Sequence, residues 1–195
     1  MRGHGSFPSC KGGQETERRP QLLELGRWLG SPGRSTATRR VGNDPSVLSV
    51  YEAAGGDKGL LRLAEAWHAR VMADEVVSHA FSHGFHPQHS QRLAAYWAEA
   101  IGGPRAYTER YGDETAVVRI HSGNGPHEEM DQRAIACFDH ALEDVGLIDG
   151  PLRQVLHDYF AWATTTTMSA YHRSADDVPQ GLRVPRWSWD GLERS

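Results

Sequence analysis

Residues 87–104, PQHSQRLAAYWAEAIGGP, decide how the rest of the chain is read. Leu93, Tyr96, Trp97 and Ala100 recur at three- and four-residue spacing, the stripe of an amphipathic helix. Pro87 suits a first helical turn, so the spacing predicts a helix from Pro87 to Ile101. Gly102-Gly103-Pro104 ends it, because glycine permits positive φ and proline cannot continue the hydrogen-bond ladder.

The same period returns on both sides. Upstream, Asp44-Pro45 is a helix-start signal for a short helix carrying Val47, Leu48, Val50 and Tyr51, which stops at Gly55-Gly56. A second helix is predicted from Asp57 to Ala73 on the stripe Leu60, Leu63, Ala64, Trp67 and Val71. Residues 74–85 read as a turn-rich connector holding Val76, Val77, Phe81 and Phe85.

Downstream, residues 104–125 read as loop with one helical turn near Tyr107. Pro126 and the acidic pair Glu128-Glu129 then open a helix with the stripe Met130, Ala134, Cys137, Phe138, Ala141 and Val145, ending at Gly146. A last helix runs from Pro151 to His172, with Leu152, Val155, Leu156, Tyr159, Phe160 and Ala163 facing inward. The run Val117 to Ile120 leans towards strand but has nothing to pair with, so no strand is expected. The fold class expected is all-α.

Three regions follow from composition. Residues 1–43, rich in Gly, Ser, Arg and Pro, lack a sustained apolar period and read as a disordered leader. Residues 44–173 form the helical domain. Residues 174–195 carry Trp187 and Trp189 and read as an extended tail whose tryptophans dock on the domain or meet a partner.

Composition also narrows the function. A formal net charge of -4 over 195 residues gives no basic patch for nucleic acid or an anionic membrane. No apolar run approaches the roughly 20 residues of a membrane helix. The N-terminus lacks the apolar core of a secretory signal, so a cytoplasmic location is expected. Cys10 in a polar tail and Cys137 in a helix do not suggest a structural disulfide. Phosphate-binding glycine loops, dinucleotide fingerprints, HExxH and nucleophile elbows are not found in the sequence.

Histidine stands out, with 11 in the chain. Most are expected at the surface, where solvated histidine is the default. His68 follows Trp67 within the second helix, His89 lies near the start of the Pro87 helix, and His121 lies in a loop ahead of Pro126. They come from three separate segments and could meet only around a central pocket.

The order of these segments resembles the truncated haemoglobins, and their group II branch in particular, from about Val50 to His172. Tyr51-Glu-Ala-Ala-Gly55-Gly56 is similar to the glycine motif that closes the family's shortened first helix. Ile101-Gly102-Gly103-Pro104, followed by Tyr107, is similar to its second glycine motif. Cys137 to Leu147 resembles the close of the following helix. The resemblance implies a trimmed globin, a two-over-two helical sandwich holding haem b and its iron.

Carried over by position, the resemblance makes His121 the proximal iron ligand. It places His89 and Leu93 on the distal helix facing the gas, and Phe81 at the haem edge. Trp97 and Phe138 would wall the cofactor, with Tyr96 beside them. Trp67 and His68 match an aromatic pair of the distal pocket, where the family usually has tyrosine at the second position. Ala134 stands where group II typically has tryptophan, and Gly123-Asn124 where a Pro-Phe pair is usual.

The partners implied are a diatomic gas (oxygen, nitric oxide or carbon monoxide) and an unidentified reductase. Transport, and oxidoreductase chemistry of a dioxygenase or peroxidase-like kind, stay open. Two other readings also stay open: a haemless helical interaction module that uses the Trp187-Trp189 tail, and a helical zinc or non-haem iron site. The last would need three or more converging ligands, and no carboxylate expected to face inward stands at helical spacing from His89 or His121.

Overall fold

The structure, a computed structural model, describes residues 48–194. Seven α-helices follow in order: α1 (Val50–Ala53), α2 (Gly56–Ala73), α3 (His89–Ala100), α4 (Ala106–Arg110), α5 (Glu114–Ile120), α6 (Glu128–Asp144) and α7 (Gly150–Trp162). A 3₁₀ turn, Val77–Phe81, connects α2 to α3. The expected leader and the Asp44-Pro45 start lie outside the described residues. Among the described residues, no helix is long and apolar enough to cross a membrane.

Helix α1 begins later than expected. Ser49 is extended (φ -61°, ψ 162°), so Leu48 and Ser49 cannot belong to the helix. Ser49 caps it instead: its Oγ accepts from Glu52 N–H at 3.2 Å, and Glu52 Oε2 accepts from Ser49 N–H at 2.8 Å. Tyr51 N–H then donates to the Ile101 carbonyl at 3.1 Å, tying α1 to the end of α3. That approach is why residue 103 is glycine. A Cβ there would lie 2.7 Å from both the Ala98 carbonyl and Cδ2 of Tyr51. Gly59 has the same origin, since a Cβ would run into the Ala54 carbonyl.

Helices α2, α3, α6 and α7 form the sandwich, and each contributes one ring to a shared cluster. Phe138 and Phe160 stack with centroids 4.1 Å apart and planes 4° from parallel. Trp97 meets Phe138 at 5.3 Å and Phe160 at 5.8 Å, edge to face. Trp67 meets Trp97 at 6.0 Å and Phe160 at 5.7 Å. The apolar stripes of α2 and α3 close over this cluster: Leu60, Leu63, Ala64, Val71, Tyr96 and Ala100 are buried.

The stretch after Pro104 differs most from expectation. It carries two helices, α4 and α5, where the residues alone predict loop and a single turn and the family resemblance implies a loose loop and a short helix ahead of His121. The β-leaning run Val117 to Ile120 is helical because Asp113 caps α5, its Oδ1 accepting from Ala116 N–H at 2.8 Å. The last helix also changes character early. After Trp162 it continues as a π-helix over Ala163–Met168, so it does not reach His172 as an α-helix. β-branched residues, here Thr164 to Thr167, crowd α-helical geometry.

The tail is not simply extended. Ala175–Asp177 forms a 3₁₀ turn, and β1 (Trp187–Ser188) pairs antiparallel with β2 (Gly191–Leu192) where no strand is predicted. Gly191, at φ 95°, supplies the left-handed residue of this tight ribbon. Trp187 is buried against Tyr159 and Trp162, at 6.0 and 5.4 Å.

Removing one stacked ring should leave a cavity the helices cannot close. Phe138→Ala is expected to lower unfolding stability by about 3–5 kcal/mol in denaturant titrations. A loss below about 1 kcal/mol would show that the ring cluster does not hold the sandwich together.

Candidate functional site

His121 is the C-cap of α5, at φ -97° and ψ 0°. Its Nδ1 lies 2.8 Å from the Val117 carbonyl, one turn back. A carbonyl oxygen only accepts, so Nδ1 must carry the hydrogen, and Nε2 is left with a lone pair. Desolvation, aided by His127, holds the His121 pKa below its ordinary value against the opposing pull of the Val117 carbonyl and Asp131. By area the residue is nevertheless exposed. The residue is thus open to solvent on one side, while its Nδ1 side is packed against α5.

A second group forms where α2, the 3₁₀ turn and α3 meet. His68 and His89 stand 5.1 Å apart, centroid to centroid. Phe81 lies 5.5 Å from His68 and 5.2 Å from His89. Phe85 lies 4.6 Å from His68 and 6.0 Å from His89. Nδ1 of His68 and Nε2 of His89 are buried without any hydrogen-bond partner. An unpaired buried polar group typically costs about 1–3 kcal/mol, so each marks a place where a partner is missing.

Electrostatics link the two groups. The His89 pKa is pushed down to about 4, first by burial and then by His68, His121, Arg92 and His86. Burial also lowers the pKa of His68. His121 is thus within electrostatic reach of His89, and the direction of all three shifts favours the neutral imidazole.

The remaining expected site residues divide. Leu93 is half-buried on α3 and can face this region. Trp97 and Phe138, expected as cofactor walls, are 4% and 1% exposed and are occupied with each other and with Phe160. Trp67 belongs to the same cluster, and its Nε1–H donates to the Ala134 carbonyl at 3.2 Å, which fixes α2 against α6. Tyr96 turns away towards α5, where its hydroxyl donates to Glu114 Oε1 at 3.2 Å.

From sequence Phe85 reads only as a connector residue, yet its ring packs on both His68 and His89. Its spacing of four from Phe81 was the available signal. Glu114 was also missed. It is 3% exposed, and burial pushes its pKa up to about 7.

The residues present fit a haem. One imidazole has its tautomer fixed with Nε2 free, and two more have orphaned nitrogens beside the rings of Phe81 and Phe85. Among the described residues, no group of three or more His, Cys, Asp or Glu could hold a bare metal ion.

The architecture is that of a truncated globin. Residues 49–165 match the family described as bacterial-like globin, and the chain belongs to that family. A group 1 truncated hemoglobin of Mycolicibacterium paratuberculosis is 30% identical over 77 residues, 40% of this chain. That match spans about half (53%) of the curated relative's length. The thermostable hemoglobin of Thermobifida fusca is 28% identical with a TM-score of 0.53, covering 62% of this chain and 97% of that one. The hemoglobin of Chloroflexus aurantiacus is 27% identical with a TM-score of 0.53, covering 63% and 98%. The group II truncated hemoglobin of Bacillus anthracis shares the fold at 20% identity, with a TM-score of 0.54 over 63% and 92%.

The depressed His89 pKa gives a signed expectation. In the folded chain His89 stays neutral down to about pH 4, whereas the unfolded residue takes a proton near 6.5. The unfolded state therefore binds more protons between these values, and stability falls as pH drops from about 6.5 to 4. In the haem-free chain, the His89 ring should titrate near 4 by NMR. A midpoint at or above 6.5 would contradict the burial described.

Proposed function

We propose that the chain binds haem b with His121 Nε2 as the axial ligand of the iron, and takes a diatomic gas on the opposite face beneath His68 and His89. The observation that carries this is the His121 Nδ1–H bond to the Val117 carbonyl. It presents a neutral imidazole in the one tautomer that leaves Nε2 free, and such a bond also raises the basicity of the ligating nitrogen. Haem supplies an iron that accepts an imidazole on one side and oxygen, nitric oxide or carbon monoxide on the other.

The protein's part is orientation, dryness and a hydrogen-bond donor. Phe81, Phe85 and Leu93 provide apolar surface that excludes water. His68 and His89, held neutral by burial, each keep one N–H and one lone pair. A gas carrying partial negative charge gains from a donor. A hydrogen bond to a charged group is worth about 1.5–3 kcal/mol, more than tenfold in affinity. His68 takes over the donor role that tyrosine usually has in the family. Any redox cycle would also need electrons from a reductase. A cytoplasmic setting accords with Cys137, a buried free thiol.

The haemless reading is weaker on two grounds. It leaves the orphaned nitrogens of His68 and His89 unexplained. It also relied on the tryptophan tail as a contact surface, and Trp187 is spent on the chain's own Tyr159 and Trp162.

Adding hemin to the purified chain should give a Soret band that saturates at one equivalent, and His121→Ala should lose it. Equal pigment uptake by both proteins would overturn the proposal. His68→Phe should speed oxygen dissociation at least about tenfold. An unchanged rate would remove His68 from the donor role.

A further inference from the structure

Helix α5 is only seven residues long, from Glu114 to Ile120. Isolated helices shorter than about 12–15 residues are marginal in water, so its direction must be imposed from outside. Part of that support comes from the polypeptide beyond residue 165, where the family match ends.

The contacts lie on both flanks of His121. On the N-terminal side, Thr115 is 3% exposed, and its Oγ1 donates to the Pro179 carbonyl at 3.2 Å while accepting from Leu182 N–H at 3.1 Å. On the C-terminal side, Gly123 N–H donates to the Tyr171 carbonyl at 3.0 Å, and Gly125 N–H to the His172 carbonyl at 2.9 Å. The approach at Gly123 is close. A Cβ there would lie 3.3 Å from the Ala175 nitrogen, and φ is +77°. The far end of the segment is anchored separately. Arg186 Nη1–H donates to the Glu99 carbonyl at 2.9 Å, and Trp187 is buried.

We propose that residues 171–187 form a clasp that sets the direction of α5 and thereby the aim of His121 Nε2, with Thr115 as the principal positioning residue. This rests on His121 being the axial ligand. Only two side-chain hydrogen bonds join Thr115 to the clasp, and both run through one hydroxyl. Thr115→Val removes the hydroxyl at almost constant volume, and Thr115→Ser restores it without the methyl group. Trp189 lies farther along the same tail and donates from Nε1 to the Leu48 carbonyl at 2.8 Å, a contact that does not involve α5.

The test uses the full chain and two readouts. In the haem-free protein, amide exchange over residues 114–121 and the ring-nitrogen shifts of His121 report the helix and its tautomer. In the loaded protein, the hemin dissociation rate reports the ligand. Thr115→Val should speed exchange across α5, move His121 towards the mixed tautomers of a free imidazole, and release hemin about tenfold faster, the scale expected for a support of a metal ligand. Thr115→Ser should restore all three, and Trp189→Phe should change none. The clasp is overturned if Thr115→Val leaves the His121 shifts and α5 exchange unchanged. It is equally overturned if Trp189→Phe moves them as far, since that is general loosening. If the wild-type chain takes up no hemin, the haem assignment fails on its own, and the measurements on the haem-free protein still decide whether Thr115 orients His121.

Discussion

The parallel stack of Phe138 on Phe160, closed by Trp67 and Trp97, is the constraint from which the rest follows. Four rings from four helices meet in a dry cluster. Aromatic pairs of this kind add about 0.5–1.5 kcal/mol each beyond the area they bury. The cluster does more than stabilise. Trp67 precedes His68, so fixing the indole, with its Nε1–H held by the Ala134 carbonyl, also fixes where the imidazole points. Trp97 anchors α3 in the same way, and α3 begins at His89. His68 and His89 owe their placement to a core that they are not part of.

Around that core the polar groups divide by whether they are satisfied. Glu99, buried on α3, accepts from the Thr108 backbone at 2.9 Å and from its hydroxyl. Arg133 pairs with Asp74 at 3.0 Å, and Asp74 in turn accepts from the N–H groups of Val76 and Val77. These groups hold connections in place. His68 and His89 each keep a buried nitrogen with no partner, as Glu114 Oε2, Tyr159 Oη and Trp187 Nε1 are without one elsewhere, and the two imidazoles stand side by side. Folded proteins rarely leave such atoms unpaired, and where they do a ligand is a physical explanation.

The helical sandwich was legible because its stripes follow a 3.6-residue period and its breaks carry glycine and proline. Leu60, Leu63, Trp67 and Val71 on α2 repeat without interruption. The Gly102-Gly103-Pro104 stop needed no tertiary information. What escaped was set by contacts remote in sequence. Helix α5 is capped by Asp113, and its Thr115 meets residues more than sixty positions later, so Val117 to Ile120 taken alone reads as a β-leaning loop. The π-helical turn and the tail ribbon are likewise decided by packing. At the site, histidine could be singled out by its chemistry. That Trp97 and Phe138 pack on each other in the ring cluster could not, because a large aromatic at helical spacing can serve a core or a cofactor wall.

The central claim is that His121 Nε2, freed by the Val117 carbonyl, ligates haem iron. Chemical rescue tests it most directly. His121→Gly should lose hemin at a rate that wild type does not show, and millimolar free imidazole should restore both retention and the Soret position by replacing the missing side chain. If His121→Gly holds hemin as tightly as wild type without imidazole, the axial ligand lies elsewhere and the account is wrong.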